Sequence, residues 1–330
     1  LSIVHHVSWC LASRSRCCAS SRGRSREHAK AWSGGDTDTL AKRRESGFDA
    51  DEIEALSPAG AFCARETCVS HDERVEELES RRAKVRAMGS ARRLDERKAA
   101  GILNARERID HLLDDESFSE VGLHAVSSNP LHRDKSPADG VVTGFGQIDG
   151  RGVAVVAHDF TTLGASTAIT YSRKTAYVER AATERGLPLI VLGEAGGARL
   201  PDSLDAAGFG AMSMGAKQAW GRARRSPWIS AVLGQCFGGP TWDAVRSDYV
   251  VMRKGAQLGV SSEQVTSVAV SQASDDEYCG WRMHTTETGF VDCAVDRDED
   301  ALDRIRQLLA YLPSHHGEAP PRAPVPDGSD

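Results

Sequence analysis

No apolar run in this 330-residue sequence approaches the roughly 18 residues that a membrane-spanning helix needs, so nothing in it favours an integral membrane protein. There is no Cys-x-x-Cys pair, which argues against a zinc ribbon and leaves no metal site to expect. A serine elbow and a Cys–His pair are also missing, so no side-chain nucleophile stands out. Basic charge is not in excess. With 41 Lys and Arg against 47 Asp and Glu, the formal net charge is −6, which offers no electrostatic footprint for a nucleic acid.

What is present fits a soluble globular protein: 40% hydrophobic and 27% charged residues, in a chain long enough for one large or two ordinary domains. Five of the eight cysteines fall at or before Cys68. The other three, Cys236, Cys279 and Cys293, are scattered through the body and read as reduced thiols of a cytoplasmic protein.

The chain divides into four parts. Residues 1–70 begin with Leu, lack sustained periodicity and carry runs such as Cys17-Cys-Ala-Ser-Ser-Arg-Gly-Arg-Ser-Arg26. They read as a disordered or spurious leader, because so little apolar patterning cannot offset the entropy of ordering. A transit peptide is the weaker reading, since Asp36, Asp38 and Glu45 interrupt the acid-poor pattern. Residues 71–118 read as a charged helical segment: an exposed helix to about Ala100, then a helix capped by Asn104 with Ile109, Leu112 and Leu113 on one face. Residues 119–313 form the body, and 314–330, rich in Pro, Gly and acidic residues, a disordered tail.

Within the body the pattern is α/β. Gly140–Ile148 and Gly152–Ala157 flank Asp149-Gly150, a strong hairpin signal. A helix is predicted from about Thr167 to Arg185, then strand 187–192, a helix around 203–224 and strand 228–233. Short strands over 245–252 and 256–260, a helical segment near 262–270, an acidic loop at 275–277 and a closing helix from Asp298 to Leu312 complete it.

Strands 187–192 and 228–233 each break into glycines: Gly193-Glu-Ala-Gly196-Gly197-Ala198-Arg199 and Gly234-Gln-Cys-Phe-Gly238-Gly239-Pro240. Glycine pairs at strand ends bare their N–H groups to a substrate oxygen, and a helix starting there adds partial positive charge. Such turns suit catalysis by backbone donors. Each pair could equally be no more than a tight turn.

The ordered set Ala138–Gly150, His158–Ser166, Gly196–Arg199, Gly234–Gly239 and Ser247–Tyr249 resembles the amino-terminal half of biotin-dependent acyl-CoA carboxylase β subunits. Ala105–Phe118 is similar to that family's leading helix and Gly280–Gly289 to a later Gly…His…Gly segment. The resemblance covers about 75–313 and implies a crotonase-like fold, a spiral of stacked ββα units. It further implies a carboxyltransferase that moves CO2 from carboxybiotin, carried on a partner protein, to the α-carbon of an acyl-CoA. By the same resemblance Gly238 and Gly239 hold the thioester enolate through their N–H groups, and biotin serves as base. Gly164, Ala165, Ser166, Gly196, Gly197, Ala198 and Arg199 shape the acyl-CoA site. The implied partners are a biotin carboxylase with its carrier and a carboxyl-terminal carboxyltransferase half, assembled as a homo- or hetero-oligomer.

Some residues carry competing readings. Arg199 reads first as an ion-pair residue and second as a phosphate ligand. His158 and His284 read as structural rather than acid–base groups, and Cys236 as a small buried thiol. Pro240 removes one N–H donor after the glycine pair, and Ala165 stands where many relatives have glycine. The resembling family also has a second half, so a non-catalytic acyl-CoA-binding or assembly subunit is an alternative reading. A biotin-independent crotonase-type hydratase or decarboxylase is another.

Overall fold

In a computed structural model of the chain, residues 70–203, 224–262, 265, 268 and 278–322 are described. The expected leader, most of the helix around 203–224, most of the segment near 262–270, the loop at 275–277 and the end of the tail lie outside them. Contacts divide the chain into two units, Leu1–Arg74 and Val75–Asp330. Of the first, residues 70–74 are described, where Ser70 and Glu73 exchange side-chain bonds to each other's N–H at the start of helix α1 (His71–Arg86).

The single exposed helix expected up to Ala100 is two: α1 and α2 (Ala91–Ala99). They part at Met88, where φ is +59°, and at Gly89, where a Cβ would sit 2.1 Å from the Thr161 carbonyl oxygen. The chain breaks its helix to rest on that loop. Helix α3 (Ala105–Leu112) starts as the sequence indicates, with Asn104 and Glu107 in a reciprocal capping box. Ile109, Leu112 and Leu113 are all buried.

Strands β1 (Ser119–Val121), β2 (Val141–Ile148) and β3 (Arg151–His158) pair antiparallel, with β2 and β3 joined at Asp149-Gly150 as expected. Both turn residues have positive φ, the requirement of a tight two-residue hairpin. Helix α4 (Ile169–Arg185) crosses over to β4 (Leu189–Ala195), and β5 (Trp228–Phe237), α6 (Gly239–Arg246) and β6 (Tyr249–Arg253) follow after the short α5 (Leu200–Ser203). From β3 through β4, β5 and β6 to β8 (Cys293–Val295) the sheet is parallel, and β7 (Gln257–Gly259) pairs with the end of β5. Helix α7 (Asp298–Tyr311) closes the body. Beyond it Arg151 donates to Ser314, and His316 N–H donates to the Arg225 carbonyl at 2.7 Å, so the first tail residues are in contact with the body.

The central strands read as unbroken apolar runs because both faces are covered. Ile190 and Leu192 pack with Ile109, Leu302 and Ile305 beneath α3 and α7, while Leu189 and Val191 pack with Tyr171 and Val178 under α4. Strands β4 and β5 run longer than expected, so Gly193 and Gly234 lie inside them rather than opening the turns. The reason is Glu194: a Cβ on Gly234 would come 2.6 Å from its carboxyl carbon. Glycine there leaves room for a buried carboxylate.

Candidate functional site

Three loops meet where β4 and β5 end. Gly196 N–H donates to the Gly164 carbonyl at 2.9 Å, Thr167 N–H to Gly197 at 2.8 Å, and Arg199 N–H to Thr167 at 2.8 Å, so 164–167 and 196–199 are stitched together. The turn at 238–239 closes on both: a Cβ on Gly238 would lie 3.4 Å from Gly197 Cα, and one on Gly239 would lie 3.2 Å from Thr167 Oγ1. All of the residues expected to form the site fall in this cluster. Leu163, Gly164 and Ala165 have φ of +49°, +63° and +48°, so Ala165 adopts the left-handed backbone that glycine would hold without strain.

The two expected donors differ. Gly238, at φ 70° and ψ −117°, donates its N–H to the Gly259 carbonyl at 3.3 Å. Gly239 opens α6, Pro240 has no N–H, and Thr241 N–H turns back to the Gly238 carbonyl at 3.1 Å. Among the described residues nothing accepts from Gly239 N–H, which is the first orphan donor of a two-turn helix whose dipole points positive at this end. An oxygen approaching this turn meets that group without a Cβ in the way.

Behind the turns Arg199 is a tie rather than a free cation. It is buried; Nη1 meets Asp139 at 2.6 Å and Asp202 at 3.3 Å, while Nε and Nη2 donate to the side chain and carbonyl of Ser166. Asp202 in turn accepts from Ser127 Oγ at 2.7 Å and Asn129 Nδ2 at 2.9 Å, and lies 2.8 Å from His132 Nδ1. Asp139 receives the Tyr171 N–H at the start of α4, and burial raises its carboxyl although Arg199 partly offsets this. The ion-pair reading of Arg199 agrees with this geometry.

A second charged group lies on the opposite side of β4. Glu194 receives Arg97 on both oxygens at 2.7 Å and Arg108 at 2.6 Å; Arg108 also donates to Asp298, which Arg253 approaches at 3.0 Å. Burial works against ionising Glu194, but Arg108 and Arg97 outweigh it and hold the carboxyl below its usual range. Next to it His158 Nδ1 accepts the Glu194 N–H at 3.2 Å, and Nε2 is 2.5 Å from the Tyr171 hydroxyl. The ring is therefore neutral, its pKa pushed down to about 3 by burial. Since the unfolded imidazole protonates near 6.5, His158 contributes stability above that pH and loses it as pH falls toward 3. Unfolding free energy should drop by up to about 1.4 kcal/mol per pH unit through that window, and His158→Gln should flatten this slope in urea titrations. An equal slope in the variant would refute the assignment.

Cys236 is buried at 1% exposure, and burial raises its thiol well above the ordinary range. It is an inert packing group. His284 Nε2 lies 2.9 Å from the Leu258 carbonyl, which fits a structural role.

Residues 96–330 match the carboxyl transferase domain family. The chain belongs to that family. It is 36% identical over 262 residues to the propionyl-CoA carboxylase beta chain of Roseobacter denitrificans, covering 78% of this chain and 51% of the relative. It is 33% identical to the methylmalonyl-CoA decarboxylase subunit alpha of Veillonella parvula, at 78% and 51% coverage. Transcarboxylase 12S, solved as a hexamer with methylmalonyl-coenzyme A bound, superposes with a TM-score of 0.69 at 31% identity over 76% of this chain and 50% of that one. The chain thus spans about half the length of the curated relatives it matches, and its α/β body has their crotonase-like fold.

Sequence reasoning gave Arg199 an ion-pair role without its partners and missed the Glu194 group altogether. One signal for the Glu194 group was there: Glu194 is the only charged residue within the apolar stretch 187–195. Arg108, on the helix face with Ile109 and Leu112, was the other. Nothing in the sequence linked Asp202 to Ser127 and His132.

Proposed function

We propose that this chain is the acyl-CoA half of a carboxyltransferase, with the thioester carbonyl oxygen held at the turn between β5 and α6. The observation that carries this reading is the Gly239 N–H, unpaired among the described residues, at a helix start on a turn walled by Gly197 and Thr167. As the α-proton leaves, negative charge moves onto the thioester oxygen, and a donor fixed in advance stabilises it without reorganising. Gly239 supplies the main bond; Gly238 N–H adds a second by sharing or releasing its 3.3 Å bond to Gly259. No described side chain at the turn is suited as base, since Cys236 is held as a thiol and Thr167 donates to the Gly197 carbonyl at 3.1 Å. N-carboxybiotin on a carrier protein would supply the carboxyl group as CO2, and the ureido nitrogen left by its loss would be the acceptor for the α-proton.

The resident residues fit one oxyanion, that of the thioester; a cradle for biotin is assigned to the complementary half. Trp242 and Val245, exposed on α6 just after the donor turn, support docking of that half there and an oligomeric assembly. The thiols of Cys236 and Cys293, neither of them in a disulfide, support a cytoplasmic setting. Calorimetry should detect propionyl-CoA or acetyl-CoA binding by the full chain, and adding a complementary half with a biotinylated carrier that a biotin carboxylase has charged with CO2 should yield carboxylated product. Absence of acyl-CoA binding under both conditions would end this reading.

A second reading rests on the relative named as a decarboxylase subunit. Loss of CO2 from a malonyl-type thioester passes through the same enolate, so the same turn serves it. Product formation from methylmalonyl-CoA without a carboxyl acceptor would decide in its favour.

A further inference from the structure

Thr241, in the first turn of α6, is bonded to both sides of the donor turn, and it is buried at 6% exposure. Its N–H donates to the Gly238 carbonyl at 3.1 Å. That carbonyl and the Gly239 N–H belong to one planar peptide unit and point in opposite directions, so fixing the first aims the second. Pro240, lying between, has no N–H that could compete for the same carbonyl.

The Thr241 hydroxyl acts on the other donor. Oγ1 lies 2.5 Å from the Gly259 carbonyl oxygen and 3.0 Å from that of Cys236. A hydroxyl has a single proton to give, and the shorter contact takes it. The Gly259 carbonyl therefore faces two donors, this hydroxyl and the Gly238 N–H at 3.3 Å. The second distance is beyond the ordinary range of an N–H···O bond, whereas the first is a short O–H···O bond. Gly259 pairs with Phe237 where β7 meets the end of β5, and the Gly238 bond continues that ladder by one residue. If Gly238 were the sole donor there, drawing its N–H toward a substrate oxygen would strip the Gly259 carbonyl of its partner, at a cost that offsets the bond gained. With Thr241 in place the carbonyl keeps a partner.

We propose that Thr241 is the positioning residue of the donor turn: its N–H orients Gly239, and its hydroxyl holds the Gly259 carbonyl so that the Gly238 N–H can turn to the thioester oxygen as charge develops. No proton is transferred; one N–H exchanges a carbonyl acceptor for an oxyanion. The assignment rests on the acyl-CoA reading above and adds to it the residue that makes a second donor available.

The test is steady-state carboxylation of propionyl-CoA by the full chain, supplied with a complementary half and a carboxylated biotinyl carrier. Calorimetry with S-propyl-coenzyme A, a thioether that has no carbonyl oxygen, runs beside it. Thr241→Val keeps the shape of the side chain and removes the hydroxyl. Its kcat should fall about tenfold, the effect of one lost acceptor bond, while the thioether binds as it does to the unchanged chain. Thr241→Ser keeps the hydroxyl and should restore most of the lost kcat. An unchanged kcat in Thr241→Val, or a loss of thioether affinity as large as the loss of kcat, overturns the assignment and leaves the acyl-CoA reading standing. An unchanged chain that neither binds the thioether nor turns over ends that reading, and this one with it. Should Thr241→Val unfold early in urea, Thr241→Ala and Thr241→Ser, which differ by the hydroxyl alone, make the same comparison, and equal kcat in that pair is again the overturning result.

Discussion

Gly239→Val lowers carboxyl transfer to an acyl-CoA by about 10²–10³-fold, the loss expected when an oxyanion donor is blocked, while the chain still folds. The added side chain must fit beside Thr167, whose Oγ1 and Cγ2 lie 3.2 and 3.3 Å from the position of the new Cβ. It would cover the approach to the N–H. Gly239 does not occupy the left-handed region, so the substitution strains the turn sterically and not through φ. Gly239→Ala, adding a single methyl, should give an intermediate loss. The effect belongs in kcat more than in acyl-CoA affinity, because the donor bonds most strongly when the oxygen carries full charge. Turnover unchanged in both variants, with a complementary half supplied, would remove Gly239 from the mechanism.

Arg108→Met destabilises the fold by about 3–5 kcal/mol, the range for breaking a buried ion pair by deleting one partner. The arginine is fully buried between Glu194 and Asp298, at 2.6 and 2.9 Å. Methionine fills part of the volume but leaves Asp298 with Arg253 alone and Glu194 with Arg97 alone. Arg97→Met removes only one of the two partners of Glu194 from a site nearer solvent, and should cost less, about 1–3 kcal/mol. Urea denaturation of the full chain measures both. A loss under 1 kcal/mol in Arg108→Met would mean that these charges are solvated and not a buried group. Because Glu194 lies two residues before Gly196, the Arg97 variant should also reduce acyl-CoA turnover where its stability still permits assay.

How much of this was legible in the sequence depends on the range of the interaction. The Asn104 cap, the Asp149-Gly150 hairpin and the burial of Ile109 and Leu112 arise within a few residues of chain, and each stands where the pattern placed it. Strand ends were misjudged because Gly193 and Gly234 look like turn residues in isolation. Only beside Glu194 does Gly234 become a place where a carboxylate needs space. Gly89 was likewise silent until Thr161 was packed against it.

The sequence by itself determined the α/β order, the two glycine turns at strand ends and the likeness to a carboxyl transferase, since each is written in local spacing and in the sequence of short motifs. Tertiary structure decided which turn glycine has an N–H unpaired among the described residues, that Arg199 ties loops together, and that Arg108 joins Glu194 and Asp298 across 86 and 190 residues. The physical reason is that a hydrogen bond or an ion pair is fixed by distance in space. Chain spacing specifies distance only within a turn, a hairpin or a helix face; beyond that, the sheet has to form before the partners can meet.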